Sequence, residues 1–230
     1  MIPPIAAYDL GRIPYREALE FQRRAVSARA SAASTDAIYF AEHEPVLTVG
    51  RAGSASSLRA NPALLAARGV EIIPVERGGD MTYHGPGQII AYPILELSGL
   101  PSGRDLHRYL RDLEEVLIGT LDGYGIRAGR RAPHTGVWVG DRKVAAIGVA
   151  VRRWITLHGF ALNVDPDLSH FDWIHPCGLR DLGVTSMRSL LGTAPPRAEV
   201  QARLREAFAR IWGRPVVEMP GRPHLEELHA

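Results

Sequence analysis

Cysteine and lysine are each represented by a single residue in this chain of 230 amino acids. The lone cysteine, Cys177, excludes an internal disulfide framework and is compatible with a reducing compartment. Lys143 is the only lysine among 27 basic residues, so every other one is an arginine. Lysine differs from arginine because its amine can be desolvated and deprotonated near neutral pH. Chance survival of one lysine and a chemical role for it are equally compatible with the count.

Long apolar runs and excess charge are also missing. Residues 1–19 contain prolines and charges where a signal peptide needs an apolar run, and no stretch approaches the ~20 apolar residues of a membrane-spanning helix. The formal net charge is only +2, which favours neither a nucleic-acid nor a membrane surface. We therefore expect a cytoplasmic protein that binds neither nucleic acid nor membrane.

What the chain does contain is a mixture of helix and strand patterns with 46% hydrophobic residues, enough for a substantial core. The strongest helix is predicted over residues 105–121, where apolar residues recur every three or four positions. A hairpin is predicted over 136–151, with its turn at Gly140. The mixture predicts an α+β fold with a mixed, mostly antiparallel sheet flanked by helices. We expect a single domain, residues 1–230, with 192–230 as a candidate C-terminal subregion.

Glycine and proline are concentrated in residues 77–88, which read Arg-Gly-Gly-Asp-Met-Thr-Tyr-His-Gly-Pro-Gly-Gln between two apolar strand candidates. Glycines permit positive φ and let a ligand approach backbone N–H groups, and Pro86 stiffens the turn. This stretch is predicted to be a loop that contributes residues to a functional site. A plain Gly/Pro-rich connection is the alternative interpretation.

Cys177 is flanked by Pro176 and Gly178 rather than by the bulky apolar neighbours of a buried structural cysteine. The thiolate is the nucleophilic form of cysteine, and half-ionisation of an ordinary thiol at pH 7 requires about 2 kcal/mol. An ammonium group ~4 Å away supplies up to about 4 kcal/mol at an effective dielectric constant near 20. We therefore predict that Cys177 and Lys143 form a catalytic pair, a hypothesis that requires the fold to bring them together.

Other arrangements of the same residues are weaker. His170, His175 and Cys177 suggest a metal site, but no Cys-x-x-Cys, His-Glu-x-x-His or fourth ligand at a usual spacing accompanies them. A cysteine–histidine pair stays open, because nine histidines offer many partners for one thiol. The glycines within 123–129 imitate a dinucleotide fingerprint but follow a helix, and the chain has no Gly-Lys-Ser/Thr phosphate loop.

Five motifs in order carry a resemblance to a known family. They are Arg-Gly-Gly-x-x-Thr-Tyr-His-Gly-Pro-Gly-Gln at 77–88, Lys-Val-Ala-Ala-Ile-Gly at 143–148, Leu-His-Gly-Phe-Ala-Leu-Asn at 157–163, Pro-Cys-Gly-Leu at 176–179 and Val-Thr-Ser at 184–186. With them the chain resembles the lipoyl(octanoyl) transferases of lipoate biosynthesis. The combination is far more specific than any one motif.

The resemblance implies the α+β fold shared with biotin and lipoate protein ligases. It also implies transfer of an octanoyl group from octanoyl-acyl carrier protein, through an acyl-thioester on Cys177, to a lysine ε-amine. The implied acceptors are lipoyl domains of 2-oxoacid dehydrogenase complexes and the glycine cleavage H protein. The implied substrate-binding residues are Arg77, Gly78, Gly79, Asp80, Met81, Thr82, Tyr83, His84, Ala146, Ile147, Gly148, Gly159, Phe160 and Ala161.

Roles follow from this resemblance and from the chemistry of the residues. Protonated Lys143 is expected to stabilise the Cys177 thiolate and later to accept a proton from the incoming amine. Backbone N–H groups near Gly178 or at Gly78-Gly79 are candidates for an oxyanion site. Four small residues of these motifs either leave room for a straight C8 chain or simply allow tight packing between strands. They are Ala146, Gly148, Gly159 and Ala161.

We expect no ATP and no metal cofactor, because transfer from a thioester to an amide is downhill. Three alternatives remain at this stage. The first is an ATP-dependent lipoate or biotin ligase, which would form an adenylate. The second is a non-catalytic module that binds acyl carrier protein, and the third is a thioesterase or amidase that uses water as acceptor.

Overall fold

The protein structure is a computed structural model that describes residues 3–175 and 183–223. Within these residues the strands are β1 (Ile5–Arg12), β2 (Ala37–Glu42), β3 (Val46–Val49), β4 (Glu71–Pro74), β5 (Met81–His84), β6 (Gln88–Ile94), β7 (Gly129–Arg131), β8 (His134–Val139), β9 (Arg142–Arg152), β10 (Ile155–Asn163), β11 (Gly183–Val184) and β12 (Val216–Glu218). The α-helices are α1 (Tyr15–Ala30), α2 (Pro62–Ala67), α3 (Leu106–Asp122), α4 (Met187–Leu191) and α5 (Arg197–Trp212).

Two sheets organise these elements. The large sheet has the strand order β12-β1-β2-β6-β10-β9-β8-β7, with β11 added beside β9, and the small sheet has the order β4-β3-β5. Neighbours from β2 through β6, β10, β9 and β8 to β7 are antiparallel, whereas β1 runs parallel to β2 and β12. The predicted α+β fold with a mixed, mostly antiparallel sheet is therefore confirmed.

One face of the large sheet is covered by α3 and α5. Leu113 and Leu117 of α3 pack with Leu204 and Phe208 of α5 in a single buried cluster, which also contains inward residues of β6, β9 and β10. The helix α3 begins where Asp105 accepts a hydrogen bond from the backbone N–H of Arg108 (3.0 Å), a standard N-cap. This amphipathic helix is the one that the spacing of leucines predicts.

The opposite face of the large sheet is covered by α1 and by the small sheet. Phe21 and Ala25 of α1 pack against Tyr39 and Ile90 in a second cluster. Tyr15 and Leu19, from the first turn and a half of α1, join Val46, Ile73 and Val75, so the helix also supports the small sheet. The space left between the large sheet and the small sheet is lined by most of the residues that the sequence predicts to bind substrate.

The C-terminal part of the described chain shares this architecture. The strand β12 pairs with β1, and Phe208 of α5 is fully buried against Phe160 of β10. The Arg214 guanidinium donates to the buried carboxylate of Asp36. Residues 192–223 therefore complete the same core and the same sheet as the preceding residues.

One sequence expectation is corrected by the fold. Residues 77–88 are not a loop throughout, because Met81–His84 form β5 and pair antiparallel with β3. The reason is a local alternation, with Met81 and Tyr83 more deeply buried than Thr82. A true turn follows at Gly87, where φ is +85° and an added Cβ would lie 2.2 Å from the carbonyl oxygen of Asp165.

A membrane-spanning helix needs about 20 predominantly apolar residues. Across residues 3–175 and 183–223, no helix is both long enough and apolar enough to cross a membrane.

Candidate active site

A cleft opens between the large sheet and residues 77–84, and we call it the central cleft. Its sheet side is built from β6, β9 and β10, and α1 contributes Tyr15. It holds about 530 Å³ of space, including its open mouth. Lys143 lines the cleft, and so does every predicted substrate-binding residue except Gly78 and Tyr83. Three motifs that are distant in sequence, at 77–88, 143–148 and 157–163, thus meet around one cavity.

Gly78 and Tyr83 lie behind the cleft wall and support it. The backbone N–H of Gly78 donates to the carbonyl oxygen of Val149 (2.9 Å) and so joins the loop to β9. The Tyr83 side chain is fully buried, and its hydroxyl forms a hydrogen bond with Nδ1 of His170 (2.8 Å). Because side chains alternate along β5, Tyr83 packs on Phe171 while its neighbours Thr82 and His84 reach the cleft.

Arg77 is held in the wall by oxygen atoms of the protein. Its Nη2 donates to the backbone oxygen and to Oγ1 of Thr48 (2.9 Å each), and its Nη1 donates to the carbonyl oxygen of Gly78 (2.9 Å). The side chain crosses β9 at Gly148, where an added Cβ would lie 2.8 Å from Cδ of Arg77. Arg77 therefore fixes the glycine-rich loop onto β3 and β9 and places positive charge beside the cavity.

The small residues of the cleft do not all serve the same purpose. Gly148 and Gly159 are paired across β9 and β10, and a Cβ at Gly159 would lie 2.1 Å from the backbone oxygen of Ala91 in β6. Gly159 is therefore required by close approach of a neighbouring strand. Ala146 and Ala161, also a cross-strand pair, form a short-chained apolar surface of the cleft.

Ile147 and Phe160, the remaining predicted pair, have their side chains in the core behind the cleft. Phe160 stacks on Phe208 of α5 with ring centroids 6.0 Å apart, and Ile147 packs against the same cluster. Both side-chain orientations follow from alternation along a strand, since the neighbouring residues in β9 and β10 face the cleft.

Lys143 reaches the cleft because β9 is bulged. Val137 pairs with Ala145, but the next residue, Trp138, pairs with Lys143, so Val144 is an extra residue. Val144 and Ala145 are both buried in the core beneath α3, and the bulge turns Lys143 to the cleft face. The Lys143 side chain is nearly buried, with 6% of the residue exposed, and Nζ lies 4.8 Å from the centre of the Trp138 ring.

Cys177, the other predicted catalytic residue, lies outside the described residues, as does Gly178 with its candidate oxyanion N–H. The pairing of Cys177 with Lys143 thus stays a prediction. The chain is described again from Gly183, and there β11 runs parallel to the start of β9 with Val184 opposite Lys143. The backbone N–H of Thr185 donates to the carbonyl oxygen of Lys143 (3.0 Å). The residues that follow the cysteine motif are therefore adjacent to Lys143.

A chain of hydrogen bonds links His84, in the cleft wall, to the backbone of Thr185 beside Lys143. Nδ1 of His84 donates to Oε1 of Gln88 (3.3 Å), and Nε2 of Gln88 donates to Oδ1 of Asn163 (2.9 Å). Nδ2 of Asn163 in turn donates to the carbonyl oxygen of Thr185 (3.0 Å). The last residues of two motifs, Gln88 and Asn163, thus connect a histidine of the cleft wall to the residue beside Lys143.

Four cleft residues were not predicted from the sequence: Tyr15, Ile90, Tyr92 and His158. Tyr15 stacks on the ring of His84 at a centroid distance of 5.9 Å. Burial raises the pKa of the Tyr15 and Tyr92 phenols, so both stay protonated. Sequence carries little signal for Tyr15, because it lies on a helix far along the chain from the motifs.

Buried neutral histidines support the aromatic side of the cleft. Nδ1 of His43 donates to the carbonyl oxygen of Ile13 (2.8 Å), so its Nε2 accepts from the Tyr92 hydroxyl (2.6 Å). Burial lowers the pKa of His43 to about 4 and lowers the pKa of His84 well below its usual range. Neither ring therefore carries charge at neutral pH.

His158 has a left-handed backbone conformation although it is not a glycine. Its φ is +57°, its N–H donates to Oε1 of Gln22 (2.8 Å), and its Nε2 lies 3.6 Å from a carboxylate oxygen of Glu76. Burial lowers the pKa of His158, and Glu76 opposes that shift. His158 belongs to the motif at 157–163, which is the one signal in the sequence that points to it.

The described residues of the metal-site alternative have other partners. Among residues 3–175 and 183–223 there is no group of three or more His, Cys, Asp or Glu side chains that could hold a metal ion. His170 instead stacks on Trp173 at 4.2 Å and bonds to Tyr83. The cysteine of that alternative, Cys177, lies outside the described residues.

Two kinds of sequence similarity relate this chain to known proteins. Residues 14–209 match the family model of the lipoyl protein ligase A/B catalytic domain. An octanoyltransferase of Solibacter usitatus is 49% identical over 204 residues, which cover 89% of this chain and 91% of that relative. An octanoyltransferase of Rubrobacter xylanophilus is 48% identical over 216 residues, which cover 91% of this chain and 96% of that relative.

Solved structures share the fold at low sequence identity. A lipoate-protein ligase A bound with ATP has a TM-score of 0.79 at 16% identity, covering 98% of this chain and 92% of that one. A biotin protein ligase from Aquifex aeolicus, in complex with biotin and ATP, has a TM-score of 0.56 at 12% identity, covering 91% and 70% respectively. At these identities the likeness concerns the fold alone. The predicted relation to the biotin and lipoate ligase fold is confirmed.

Proposed function

Because this chain belongs to the octanoyltransferase family of acyltransferases, we propose that it carries an octanoyl group from acyl carrier protein to a lysine ε-amine on lipoyl domains. The acceptors are the lipoyl domains of 2-oxoacid dehydrogenase complexes and the glycine cleavage H protein. The reaction takes place in the cytoplasm and uses neither ATP nor a metal ion. The observation that carries the proposal is the presence of Lys143, the sole lysine, in a cleft formed by three motifs of that family.

The first half-reaction loads the enzyme. The Cys177 thiolate forms a bond to the octanoyl carbonyl carbon, and the bond from that carbon to the sulfur of the carrier breaks. The departing carrier thiolate takes a proton from the Lys143 ammonium, which leaves an acyl-thioester on Cys177 and a neutral amine on Lys143. Before this step the ammonium favours the ionised form of the thiol.

The second half-reaction restores the starting state. The lysine amine of the lipoyl domain attacks the thioester carbonyl, loses a proton to the Lys143 amine and releases Cys177 as a thiolate. Two observations support this arrangement: β11 is paired with β9 at Lys143, and the Lys143 side chain is only 6% exposed. An amine largely removed from water can exchange protons with groups inside the cleft.

The acyl chain is expected to lie on the short-chained surface of the cleft. Ala146, Ala161 and Ile90 present apolar atoms there, with the aromatic residues Tyr15 and Tyr92 beside them. Each buried methylene contributes about 0.8 kcal/mol, so a C8 chain gains several kcal/mol from such a surface. That gain supplies both affinity and discrimination against shorter chains.

Intact-mass measurement with octanoyl-acyl carrier protein is the experiment that tests the proposal. The wild-type protein is expected to gain one octanoyl group and to lose it when a lipoyl domain is added. Cys177→Ser should form no adduct, whereas Lys143→Arg should retain some adduct but transfer it slowly, because a guanidinium keeps its proton. An adduct that persists in Cys177→Ser would remove this cysteine from the mechanism. Formation of octanoyl adenylate from octanoate and ATP would instead identify a ligase.

A further inference from the structure

Glu114 is a carboxylate buried in the middle of α3, and the proposed transfer gives it no task. Its side chain is 0% exposed. Oε2 accepts hydrogen bonds from Nη1 of Arg111 (2.6 Å) and Nε of Arg130 (2.9 Å), while Oε1 accepts from the backbone N–H of Gly136 (3.1 Å). All three partners are donors, so the position suits a carboxylate and does not suit an amide, whose NH₂ group would face one of them.

Gly136 is the residue that the Lys143 side chain crosses. Its φ is +126°, a conformation that side chains rarely permit. A Cβ added there would lie 2.8 Å from the backbone oxygen of Ala145 and 3.4 Å from Cε of Lys143. The aliphatic part of Lys143 therefore lies directly beside Gly136, at the distance where an added methyl group would touch it. The backbone of Gly136 thus forms part of the surface on which the Lys143 side chain rests.

The bulge beside Gly136 has a competing arrangement. In a regular β8–β9 ladder without the extra residue Val144, Lys143 would be in phase with Ala145 and Ile147, whose side chains face the core. A shift of one residue turns every side chain of the shifted part to the other face. The buried acceptor of Glu114 favours the bulged arrangement, since it satisfies the Gly136 N–H from outside the ladder.

We propose that Glu114 is a positioning residue for Lys143. By holding the N–H of Gly136 and the side chains of Arg111 and Arg130, it fixes the bulged hairpin that directs the Lys143 amine into the central cleft. The task assigned to Lys143 rests on the proposed acyl transfer. The contacts from Glu114 through Gly136 to Lys143 do not depend on it.

The chain offers a test that needs no substrate, because Lys143 is its only lysine. An amine-acetylating reagent, N-hydroxysuccinimide acetate, modifies this one side-chain amine, and peptide mass spectrometry measures the rate. The variant is Glu114→Gln, and the matched control is Glu115→Gln on the next residue of α3. Glu115 also binds Arg130 (2.7 Å) but is 47% exposed and has no bond to Gly136.

Glu114→Gln is expected to label Lys143 several-fold faster than wild type, because the lysine leaves its enclosed position. The kcat for octanoyl transfer should fall roughly tenfold with KM little changed, because a misplaced group slows the chemical step. Glu115→Gln should match wild type in labelling and in kcat. Gly136→Ala, whose methyl group would lie 2.8 Å from the Ala145 backbone oxygen and so disturb the bulge, should reproduce the labelling change of Glu114→Gln.

A merely structural Glu114 would give a different pattern. Glu114→Gln would then melt at a lower temperature but, well below that temperature, would label and turn over like wild type, and this result would overturn the proposal. If Gly136→Ala does not fold, the comparison of Glu114→Gln with Glu115→Gln still decides. Absence of octanoyl transfer in wild type would refute the proposed function, while the labelling rates would judge the positioning role separately.

Discussion

The two paired glycines of the cleft show how the same residue type serves different needs. At Gly148 the nearest atom to an added Cβ is Cδ of Arg77, at 2.8 Å, with the Gly78 oxygen at 3.2 Å. At Gly159 it is the backbone oxygen of Ala91, at 2.1 Å. A side chain can shift aside at some cost, whereas a paired strand cannot.

Alanine substitutions at these two glycines should therefore change different properties, catalytic activity at Gly148 and folding stability at Gly159. Gly148→Ala is expected to displace Arg77 and lower kcat/KM about tenfold, because the loop that it holds lines the cleft. Gly159→Ala should lower the free energy of unfolding by about 3 kcal/mol, since β6 and β10 must separate. Urea unfolding and steady-state kinetics on both variants check this. A Gly148→Ala protein that was the less stable of the two would contradict the assignment.

His43 makes stability depend on pH in a predictable direction. Its pKa is about 4 in the folded protein and about 6.5 when unfolded, so between these values the unfolded chain binds a proton that the folded chain does not. The free energy of unfolding therefore falls as pH decreases. From pH 7.5 to pH 5 the loss attributable to His43 is about 2 kcal/mol.

His43→Gln is the variant that isolates this contribution, because its amide can donate to the Ile13 oxygen and accept from the Tyr92 hydroxyl. Urea unfolding at the two pH values should show a smaller loss for the variant than for wild type, by about 2 kcal/mol. Equal losses in both proteins would mean that His43 does not control this part of the pH dependence.

At the level of single residues, the sequence motifs indicated which residues lie together but not the direction of each side chain, and their binding of substrate stays a prediction. Lys143 and the residues at 146–148 and 159–161 lie around one cavity, as expected from the motifs. Tyr83 lies behind the wall because the side chains of β5 alternate between its two faces. His158 has a left-handed backbone conformation, and the sequence does not indicate this because the residue is not a glycine. The catalytic role of Cys177 stays a prediction.

Among the helices and strands, those with a clear residue periodicity could be predicted from the sequence, whereas those that depend on packing could not. The helix α3 and the β8–β9 hairpin were predictable from leucine spacing and from the Gly140 turn. The strand β5 was not, because glycines on both sides favour a loop and only four residues alternate. The bulge at Val144 has no sequence signal of its own, since it depends on which residues of β8 and β9 pair.

The turn that joins β9 and β10 contains two non-glycine residues in a left-handed backbone conformation. Arg152 pairs with Ile155, so the two residues between them form a two-residue loop in which Arg153 has φ of +52° and Trp154 has φ of +63°. Left-handed backbone costs an ordinary residue about 1–2 kcal/mol, and asparagine tolerates it better.

Arg153→Asn is therefore expected to stabilise the protein by about 0.5 kcal/mol. For a chain of this size, that gain corresponds to a rise of roughly 1–2 °C in melting temperature. Differential scanning calorimetry measures it directly. Arg152→Asn, at the adjacent extended position, is the control and should give no increase; an increase of the same size in both variants would locate the gain elsewhere.

On the scale of the whole molecule, fold class followed from the sequence because helix and strand periodicities are mixed along the entire chain. The sheet order did not, since pairing of β12 with β1 joins residues from opposite ends of the chain. Such a contact leaves no local pattern. Because β12 and α5 belong to the same sheet and core as the earlier elements, we expect them to unfold cooperatively with the rest of the described chain.

Phe208→Ala tests that cooperativity. Phe208 is fully buried between Phe160 and Trp212, so the substitution is expected to cost about 3–5 kcal/mol. Unfolding monitored by tryptophan fluorescence and by far-ultraviolet circular dichroism should shift together as one transition. Two separate transitions would show that the C-terminal residues unfold as an independent unit.

The scarcity of lysine has a further consequence for a catalyst whose acceptor is a lysine amine. Such a protein risks acylating itself, because a reactive thioester lies within reach of its own surface. Here that surface carries guanidinium groups, which stay protonated and are poor nucleophiles. Under the proposed function, the 26 arginine side chains therefore offer the loaded thioester no competing amine acceptor.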